Sequence, residues 1–167
     1  MKTLVQVAML STSLGLALGI SAPASAETGH YVSSNAVDKC QAFTPGVTNT
    51  IRNRVVGAEN VGANPIAVAC AFELSEMYGA SSAIVDNVIM YFRSSNLAPI
   101  DVSCSLLPGD HANGLGTVTN NTVSVPAGGN ASINFAGPHS VFAIGVNCII
   151  PPNVTIVQTV IRYRNDP

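Results

Sequence analysis

The sequence predicts an all-β protein, an antiparallel β-sandwich of the jelly-roll or immunoglobulin-like type, with about eight or nine strands and two disulfides. Three observations support this fold class. Short runs alternate apolar and polar residues, clusters of Gly, Pro and Asn separate these runs, and the chain has an even number of cysteines, four. A strand separates such alternating residues onto two faces, whereas a helix would mix them.

The three clearest strands each contain one cysteine. In residues 100–106 the even-numbered positions are Ile, Val, Cys and Leu, and the odd-numbered positions are Asp, Ser and Ser. Residues 66–74 place large apolar residues on one face and three alanines and Glu73 on the other. Residues 141–150 align five apolar residues on one face, but their other face is mixed and includes Val141 and Ile149. Because successive side chains of a strand point to opposite faces, we expect Cys70, Cys104 and Cys148 on the buried faces of their strands. A buried thiol without a positive neighbour is a poor nucleophile, so these positions indicate disulfides.

The remaining strands follow from weaker patterns. Residues 84–93 are apolar on both faces, which predicts a buried central strand, and residues 154–164 form a long final strand rich in Thr and Val. Residues 47–56 are rich in β-forming residues but irregular. Residues 117–125 and 131–135 flank a Pro–Ala–Gly–Gly–Asn segment, which predicts a hairpin with a loop of about five residues. A short helical turn within residues 73–82 is compatible with the pattern.

The N-terminal segment has the three parts of an export signal. Lys2 supplies the positive charge, residues 4–20 are apolar, and Ala22–Ala26 ends in a small-x-small cleavage triplet. The expected organisation is a signal peptide over residues 1–26 and one secreted or periplasmic β-sandwich domain over residues 27–167. No later apolar run reaches the length of a membrane span, although an uncleaved signal anchor remains an alternative.

The composition of residues 27–167 limits the partners. Six Lys and Arg oppose nine Asp and Glu, so the formal charge is about −3. This balance argues against nucleic acid, which requires clustered cations. Charged residues are only 10% of the chain, and weak charge repulsion makes self-association easier. The partner is undetermined, and the options are a second copy or a component of the cell envelope or the extracellular matrix.

The cysteines of an exported chain are expected to pair with one another. Four cysteines allow three connectivities, and no two of them have the close spacing of a zinc knuckle. We favour Cys40–Cys70, because Cys40 lies just before the strand near residue 50, Cys70 lies on the next strand, and strands that follow one another are commonly neighbours. We favour Cys104–Cys148, because these two cysteines lie on strands with matched inward faces. Each bond would contribute about 3–4 kcal/mol in a chain-entropy treatment.

Several segments also carry a resemblance. Cys40-Gln41, Asn64–Cys70, Asp101–Leu106, Asn147–Pro151 and the final Ile161–Arg164 succeed one another as in a recurrent group of small exported bacterial proteins. The chain is similar to this group over residues 27–167, in a framework of four cysteines and β-strands. The resemblance implies an exported β-sandwich. It implies no activity, and it carries over no functional residue.

Two histidines and one acid form the candidate ligand site. His111 and His139 lie in segments rich in Gly and Pro, and Asp110 precedes the first of them. Loops at one end of a sandwich can bring these three side chains together, and such a set binds Zn²⁺ or another divalent cation. The oxygens near Asp110 also suit calcium, without the spacing of an EF-hand. Solvent exposure of both histidines in separate loops is the alternative, and we assign no metal or cofactor.

No catalytic motif is present in the sequence, so we lean against an enzyme. The H-E-x-x-H and G-x-S-x-G patterns are absent. A glycosidase pair would have to come from the four acids at mid-chain, Glu73, Glu76, Asp86 and Asp101. Sugar-stacking platforms usually use Trp or Tyr, but the chain has no Trp and only four Tyr.

Two arginines flank Tyr163 in the final strand. Arg162 and Arg164 would protect an edge strand from pairing with another chain, or they would form a docking edge. The leading hypothesis for the whole chain is a non-enzymatic structural or interaction module of undetermined ligand. The alternative hypothesis is a carbohydrate- or metal-binding extracellular module.

Overall fold

The computed structural model describes residues 29–43, 50–73, 83–110, 114–141 and 143–165. The predicted signal peptide and the helical turn considered near residues 73–82 lie largely or wholly outside these ranges. The described residues form one short helix and twelve strand segments: β1 (His30–Asn35), α1 (Ala36–Lys39), β2 (Cys40–Ala42), β3 (Ile51–Arg54), β4 (Gly57–Asn60), β5 (Ile66–Glu73), β6 (Ala83–Ser94), β7 (Ile100–Asp110), β8 (Gly114–Leu115), β9 (Thr119–Val125), β10 (Asn130–Val141), β11 (Ala143–Ile150) and β12 (Val154–Asn165).

The strands form two antiparallel sheets. Sheet A has the order β10-β6-β12-β4-β3. On the side of β12 that faces away from β6, β4 pairs with the beginning of the strand and β1 pairs with the remainder. Sheet B has the order β2-β5-β11-β7-β8, and β9 pairs with β7 on the same side as β8. Eight of the twelve described segments have six residues or more, and the short segments β2, β3 and β8 lie at the edges of the sheets.

The path of the chain distinguishes between the two sandwich types that the sequence left open. From β4 onward the chain alternates between the sheets, except that β8 and β9 both follow β7 within sheet B. Eight strands along this path form the centre of the two sheets, in the orders β4-β12-β6-β10 and β5-β11-β7-β9, and β1 and β3 extend sheet A while β2 and β8 extend sheet B. This two-sheet arrangement is a jelly roll.

The predicted hairpin around residues 126–130 is wrong. β9 pairs with β7 in sheet B, whereas β10 pairs with β6 in sheet A. Alternation of apolar and polar residues shows that a segment is a strand, but it does not show which strand lies beside it. The short connection between Val125 and Asn130 bridges the gap of about 10 Å between packed sheets.

A strand that the sequence analysis did not predict, β1, lies shortly after the predicted cleavage point. It pairs with β12 from His30 opposite Tyr163 to Asn35 opposite Gln158. Asn35 then caps α1, since its side chain accepts a hydrogen bond from the Val37 N–H at 3.1 Å. Among the described residues, the structure contains no helical segment that could serve as a membrane span.

The core lies between the two sheets. Aromatic residues of both sheets are buried there, with 0–1% exposure for Phe72, Phe92, Phe135 and Tyr163. The central strand predicted over residues 84–93 is β6, which lies between β10 and β12. Its inner face is buried, whereas Tyr91 on its outer face is 39% exposed.

Both disulfides lie in sheet B and point into this core. Cys40 is directly opposite Cys70, and Cys104 is directly opposite Cys148, with 4.0 Å between the Cα atoms of each pair. This is the pairing that the sequence favours. All four cysteines are buried, and the sulfur of Cys148 lies 3.7 Å from that of Met90 in the opposite sheet.

One end of the sandwich is held by asparagine side chains. Asn60 is fully buried, and its Nδ2 donates to the carbonyl oxygens of Asn64 and Ile150, each at 2.9 Å. Its Oδ1 accepts from the Gly62 N–H at 2.9 Å. Because Asn60 ends β4 in sheet A and Ile150 ends β11 in sheet B, this side chain ties the two sheets together.

Candidate functional site

The outer face of sheet B contains a shallow concavity of about 380 Å³, which we call the sheet B groove. It crosses the middle of the sheet, and its lining is uncharged. The lining consists of Ala67, Ser103, Cys104, Ser105, Asn120, Asn121, Thr122, Asn147, Cys148 and Ile149.

The alternation of β7 and β11 explains why the groove is polar. Val102, Cys104 and Leu106 are buried in the core, so the serines between them face outward. The register then aligns these serines with β11: Ile149 is opposite Ser103, and Asn147 is opposite Ser105. The groove therefore lies on the polar side of the same strands whose inner side forms the core.

Hydrogen bonds between neighbouring strands hold the polar groups of the groove in place. The hydroxyls of Ser103 and Thr122 are 2.8 Å apart, and the Ser105 hydroxyl donates to Oδ1 of Asn120. Each of these groups can form further bonds, because a hydroxyl has one donor and two acceptor positions and an amide has more. The face is thus fixed before a ligand arrives.

The groove is suited to binding rather than to catalysis. None of the described residues that line it is an acid, a base or a free thiol, since Cys104 and Cys148 are bonded to each other. It offers neutral donors and acceptors together with the apolar side chain of Ile149, which is 50% exposed. Such a surface complements a ligand with both hydroxyls and C–H groups.

A second concavity of about 610 Å³ lies beside α1. It is lined by groups of both charges, Asp38, Lys39 and Glu73, together with Gln41 and Asn53. Glu73 is the last described residue before residue 83.

Two members of the predicted ligand site lie at the same end of the sandwich. Asp110 ends β7, and its neighbour Gly109 is opposite Ala143, the first residue of β11. His139 lies near the end of the preceding strand, β10, so it is at the same end of the sandwich. His139 is half-buried, and its Nε2 is buried without a hydrogen-bond partner among the described residues. His111 lies outside the described residues, so a ligand site at Asp110, His111 and His139 stays a prediction.

The described acids do not form a glycosidase pair. Asp86 lies in sheet A, where Nε of Arg164 is 3.3 Å from its Oδ1. Glu73 and Asp101 are far apart in sheet B. Glu73 is opposite Ala143, Ala143 is opposite Gly109, and Gly109 is eight residues along β7 from Asp101. Glu76 lies outside the described residues. Within the described ranges, no three His, Cys, Asp or Glu side chains come together to hold a metal ion.

The final strand is not an edge, so the edge interpretation of Arg162 and Arg164 is wrong. β12 has β6 on one side and both β4 and β1 on the other. The sequence could not show this, because the strand that covers the expected edge is β1, which is more than one hundred residues earlier in the chain. Tyr163 between the two arginines is 1% exposed and belongs to the core.

The sequence identified the outward-facing residues of β7 and β11 but not the groove. The signal was present in the odd-numbered residues Ser103, Ser105 and Asn147. Their grouping with Asn120 and Thr122 depends on the register between β7 and β9, which a single sequence does not contain.

Comparison with known proteins gives distant structural likenesses. No protein-family model matches the chain, and no curated protein matches it. Among solved structures, a carbohydrate-binding module (CBM35) from Cellvibrio japonicus aligns with 79% of this chain and 92% of its own, at 18% identity and a TM-score of 0.48. An exo-beta-1,3-galactanase from Phanerochaete chrysosporium aligns with 80% of this chain and 29% of its own, at 14% identity and a TM-score of 0.45.

A virus coat protein is also structurally similar to this chain. The coat protein of Tobacco streak virus aligns with 83% of this chain and 87% of its own, at 10% identity and a TM-score of 0.38. Likenesses at these identities and scores assign neither a family nor a ligand. The jelly-roll assignment rests on the strand order of this chain itself.

Proposed function

We propose that this chain is a non-enzymatic binding module, secreted or periplasmic, and that the sheet B groove binds a neutral carbohydrate. The observation that carries the proposal is the groove itself: six hydroxyl or amide side chains around a half-exposed Ile149, without a charged residue in its lining. The two disulfides support a location outside the reducing cytoplasm.

A neutral carbohydrate fits the chemistry of the groove. Its hydroxyls both donate and accept, as do those of Ser105 and Thr122, and its C–H groups pack against Ile149 and Ala67. A charged ligand would lose hydration without gaining an opposite charge in the groove. Because the groove is shallow and contains no aromatic side chain, we expect weak binding, with a Kd on the order of 0.1–1 mM.

The test is binding of neutral polysaccharides to the chain with both disulfides intact. Isothermal titration and affinity electrophoresis would compare the wild type with Asn147→Ala and Ser105→Ala. Loss of one hydrogen-bonding side chain is expected to weaken binding about three- to tenfold. Ser132→Ala is the matched control, since Ser132 is exposed on the outer face of sheet A. Equal binding by all three variants would exclude the groove as the site.

A second candidate function concerns the other end of the sandwich. The buried, unpartnered Nε2 of His139, at the same end as Asp110, favours a ligand there. Titration with Zn²⁺ and Ca²⁺, followed by NMR of the histidine ring protons, would test this site. A response of His139 that disappears in Asp110→Asn is the expected result, and unchanged ring signals with both ions would reject the site.

A further inference from the structure

All five arginines of the chain lie on the strands of sheet A, although they are scattered over more than one hundred residues of sequence. Two are in β3, one is in β6 and two are in β12: Arg52, Arg54, Arg93, Arg162 and Arg164. The strands of sheet B carry no Lys or Arg, but they contain three acids, Glu73, Asp101 and Asp110. The fold thus places the arginines on one sheet and these acids on the other, a separation that the net charge of the whole chain does not reveal.

The arginines point away from the core. Ile161 and Tyr163 are each 1% exposed, so Arg162 between them and Arg164 beyond them face outward. Phe92 is fully buried, and its neighbour Arg93 is exposed. In β3, Ile51 packs against the core, which turns the alternate residues to the outer face: Arg52 and Arg54.

Only part of this positive charge is neutralised within the sheet. Glu59 forms an ion pair with Arg54, and Asp86 forms one with Arg164. Arg52, Arg93 and Arg162 are exposed and have no carboxylate partner among the described residues. Five arginines against two carboxylates leave an excess of three positive charges on the strands of this sheet.

The register spreads the three unpaired arginines over a wide surface. Arg52 is opposite Glu59, Glu59 is opposite Thr155, and Thr155 is opposite Arg93, so three strand spacings separate the two arginines, about 14 Å. Arg162 lies seven residues further along β12 than Thr155, about 20 Å away. One small anion cannot reach all three guanidinium groups, whereas an extended polymer can.

Two tyrosines lie beside these arginines. Tyr31 in β1 is 67% exposed, and the guanidinium of Arg162 lies 5.6 Å from the centre of its ring. Tyr91 in β6 is 39% exposed and shares the outer face with Arg93, two residues later. Exposed tyrosine rings provide flat surfaces for sugar rings, and arginine forms paired hydrogen bonds with carboxylates.

We propose that the outer face of sheet A, which we call the arginine face and define by Arg52, Arg93, Arg162, Tyr31 and Tyr91, binds a linear polysaccharide that bears carboxylates. The occupant follows from charge complementarity, from the spacing of the arginines and from the neighbouring aromatic rings. This inference does not depend on the sheet B groove, which would bind a neutral chain on the opposite side of the sandwich.

The probe is polygalacturonate, and its fully methyl-esterified form is the matched neutral polymer. The full chain with intact disulfides is titrated with each polymer at low salt. The wild type is expected to bind the acidic polymer at least tenfold more tightly, and its affinity is expected to fall as salt rises, because the attraction is electrostatic. Equal binding of the two polymers, or of neither, would overturn the proposal.

Variants locate the binding on the protein. The triple variant Arg52→Gln, Arg93→Gln and Arg162→Gln is expected to lose at least tenfold in affinity for polygalacturonate and most of the salt dependence. The triple change to Lys keeps the charge and should retain most of the binding, which separates loss of charge from misfolding. Lys39→Gln, which removes a cation from α1, is the control and should change the affinity less than about twofold.

Two further arms distinguish other polyanions. Vesicles containing phosphatidylglycerol and a single-stranded DNA oligonucleotide are measured under the same conditions. Tighter binding of either one than of polygalacturonate would assign the arginine face to a lipid surface or to nucleic acid and would overturn the proposal. Asn147→Ala should leave polygalacturonate binding unchanged, so failure at the sheet B groove and failure at the arginine face give different results.

Discussion

Sheet A and sheet B share one core but are held together by different means. Sheet B contains both disulfides, which join β2 to β5 and β7 to β11. Sheet A has no cysteine in its strands and instead contains three strands of twelve residues, of which β6 pairs with both β10 and β12 over most of its length. One sheet is stabilised by covalent bonds between strands, and the other by long pairings and a buried aromatic layer.

The outer faces of the two sheets differ as well. Around its groove, sheet B presents neutral serine, threonine and asparagine side chains, whereas sheet A presents arginines and two exposed tyrosines. Because the inner faces must be apolar in both sheets, only the outer residues are free to vary with function. The comparison indicates two surfaces of different chemistry on one stable scaffold.

The largest expected effect is the loss of a disulfide from sheet B. Replacement of Cys104 and Cys148 by Ala removes a bond that closes a separation of 44 residues, and replacement of Cys40 and Cys70 removes one that closes 30 residues. Each double variant is expected to lower the free energy of unfolding by about 4 kcal/mol, because the unfolded chain gains conformational freedom. Urea denaturation followed by circular dichroism would measure both losses.

The contrast between the sheets would fail if the disulfides proved dispensable. Unfolding of the oxidised and the reduced protein at the same urea concentration would show that strand pairing alone stabilises sheet B. The shorter closure predicts a slightly smaller loss for the Cys40–Cys70 pair. A loss for this pair far below that difference would place its effect in the three-residue edge strand β2 rather than in the whole fold.

The second prediction concerns the link between the sheets. Asn60→Ala removes three hydrogen bonds and leaves the Ile150 carbonyl and the Gly62 N–H without this partner. We expect the free energy of unfolding to fall by about 3 kcal/mol. Asn64→Ala is the control, since the exposed Asn64 contributes its main-chain carbonyl to this network. Equal effects of the two substitutions would show that the buried amide does not join the sheets.

The third prediction tests the core of sheet A. Thr159 is fully buried, and its hydroxyl has no hydrogen-bond partner among the described residues. Thr159→Val keeps the shape and removes the buried hydroxyl, so we expect a gain of about 1 kcal/mol in the free energy of unfolding. Thr159→Ser keeps the hydroxyl and loses a methyl group, so it should destabilise. Thermal unfolding of the two variants would give opposite shifts, and a loss in both would contradict an unsatisfied hydroxyl.

The smallest expected effect on stability belongs to the arginine face. Arg93 is exposed and forms no ion pair with a described residue, so Arg93→Gln should change the free energy of unfolding by less than about 0.5 kcal/mol. Urea denaturation of this variant, beside the titrations above, separates a binding role from a structural one. A loss of several kcal/mol would instead make Arg93 part of the scaffold.

Much of the fold was predictable from local patterns. The alternation around Cys70, Cys104 and Cys148 identified three strands and their buried faces, and the order of the cysteines favoured the pairing that the structure contains. The central strand β6 and the final strand β12 also agree with the sequence. These features depend on residues that are close together in the chain, where the period of the pattern is readable.

The features that the sequence missed all depend on distant pairing. β1 was missed because its polar residues become ordered only against β12, and the hairpin between β9 and β10 was wrongly predicted because adjacent strands entered different sheets. The groove needed the register of β7 with β9, and the arginine face needed the order of β3, β4, β12 and β6. None of these registers leaves a trace within a short window of sequence.

By itself, the sequence determined the class of the fold, the buried side of the strands that contain Cys70, Cys104 and Cys148, and the low proportion of charged residues. Tertiary structure alone decided which strands are neighbours, and with them where charges and hydroxyls gather. The physical reason is that burial depends on the local period of apolar residues, whereas a surface site is made of side chains that only cross-strand hydrogen bonding brings side by side.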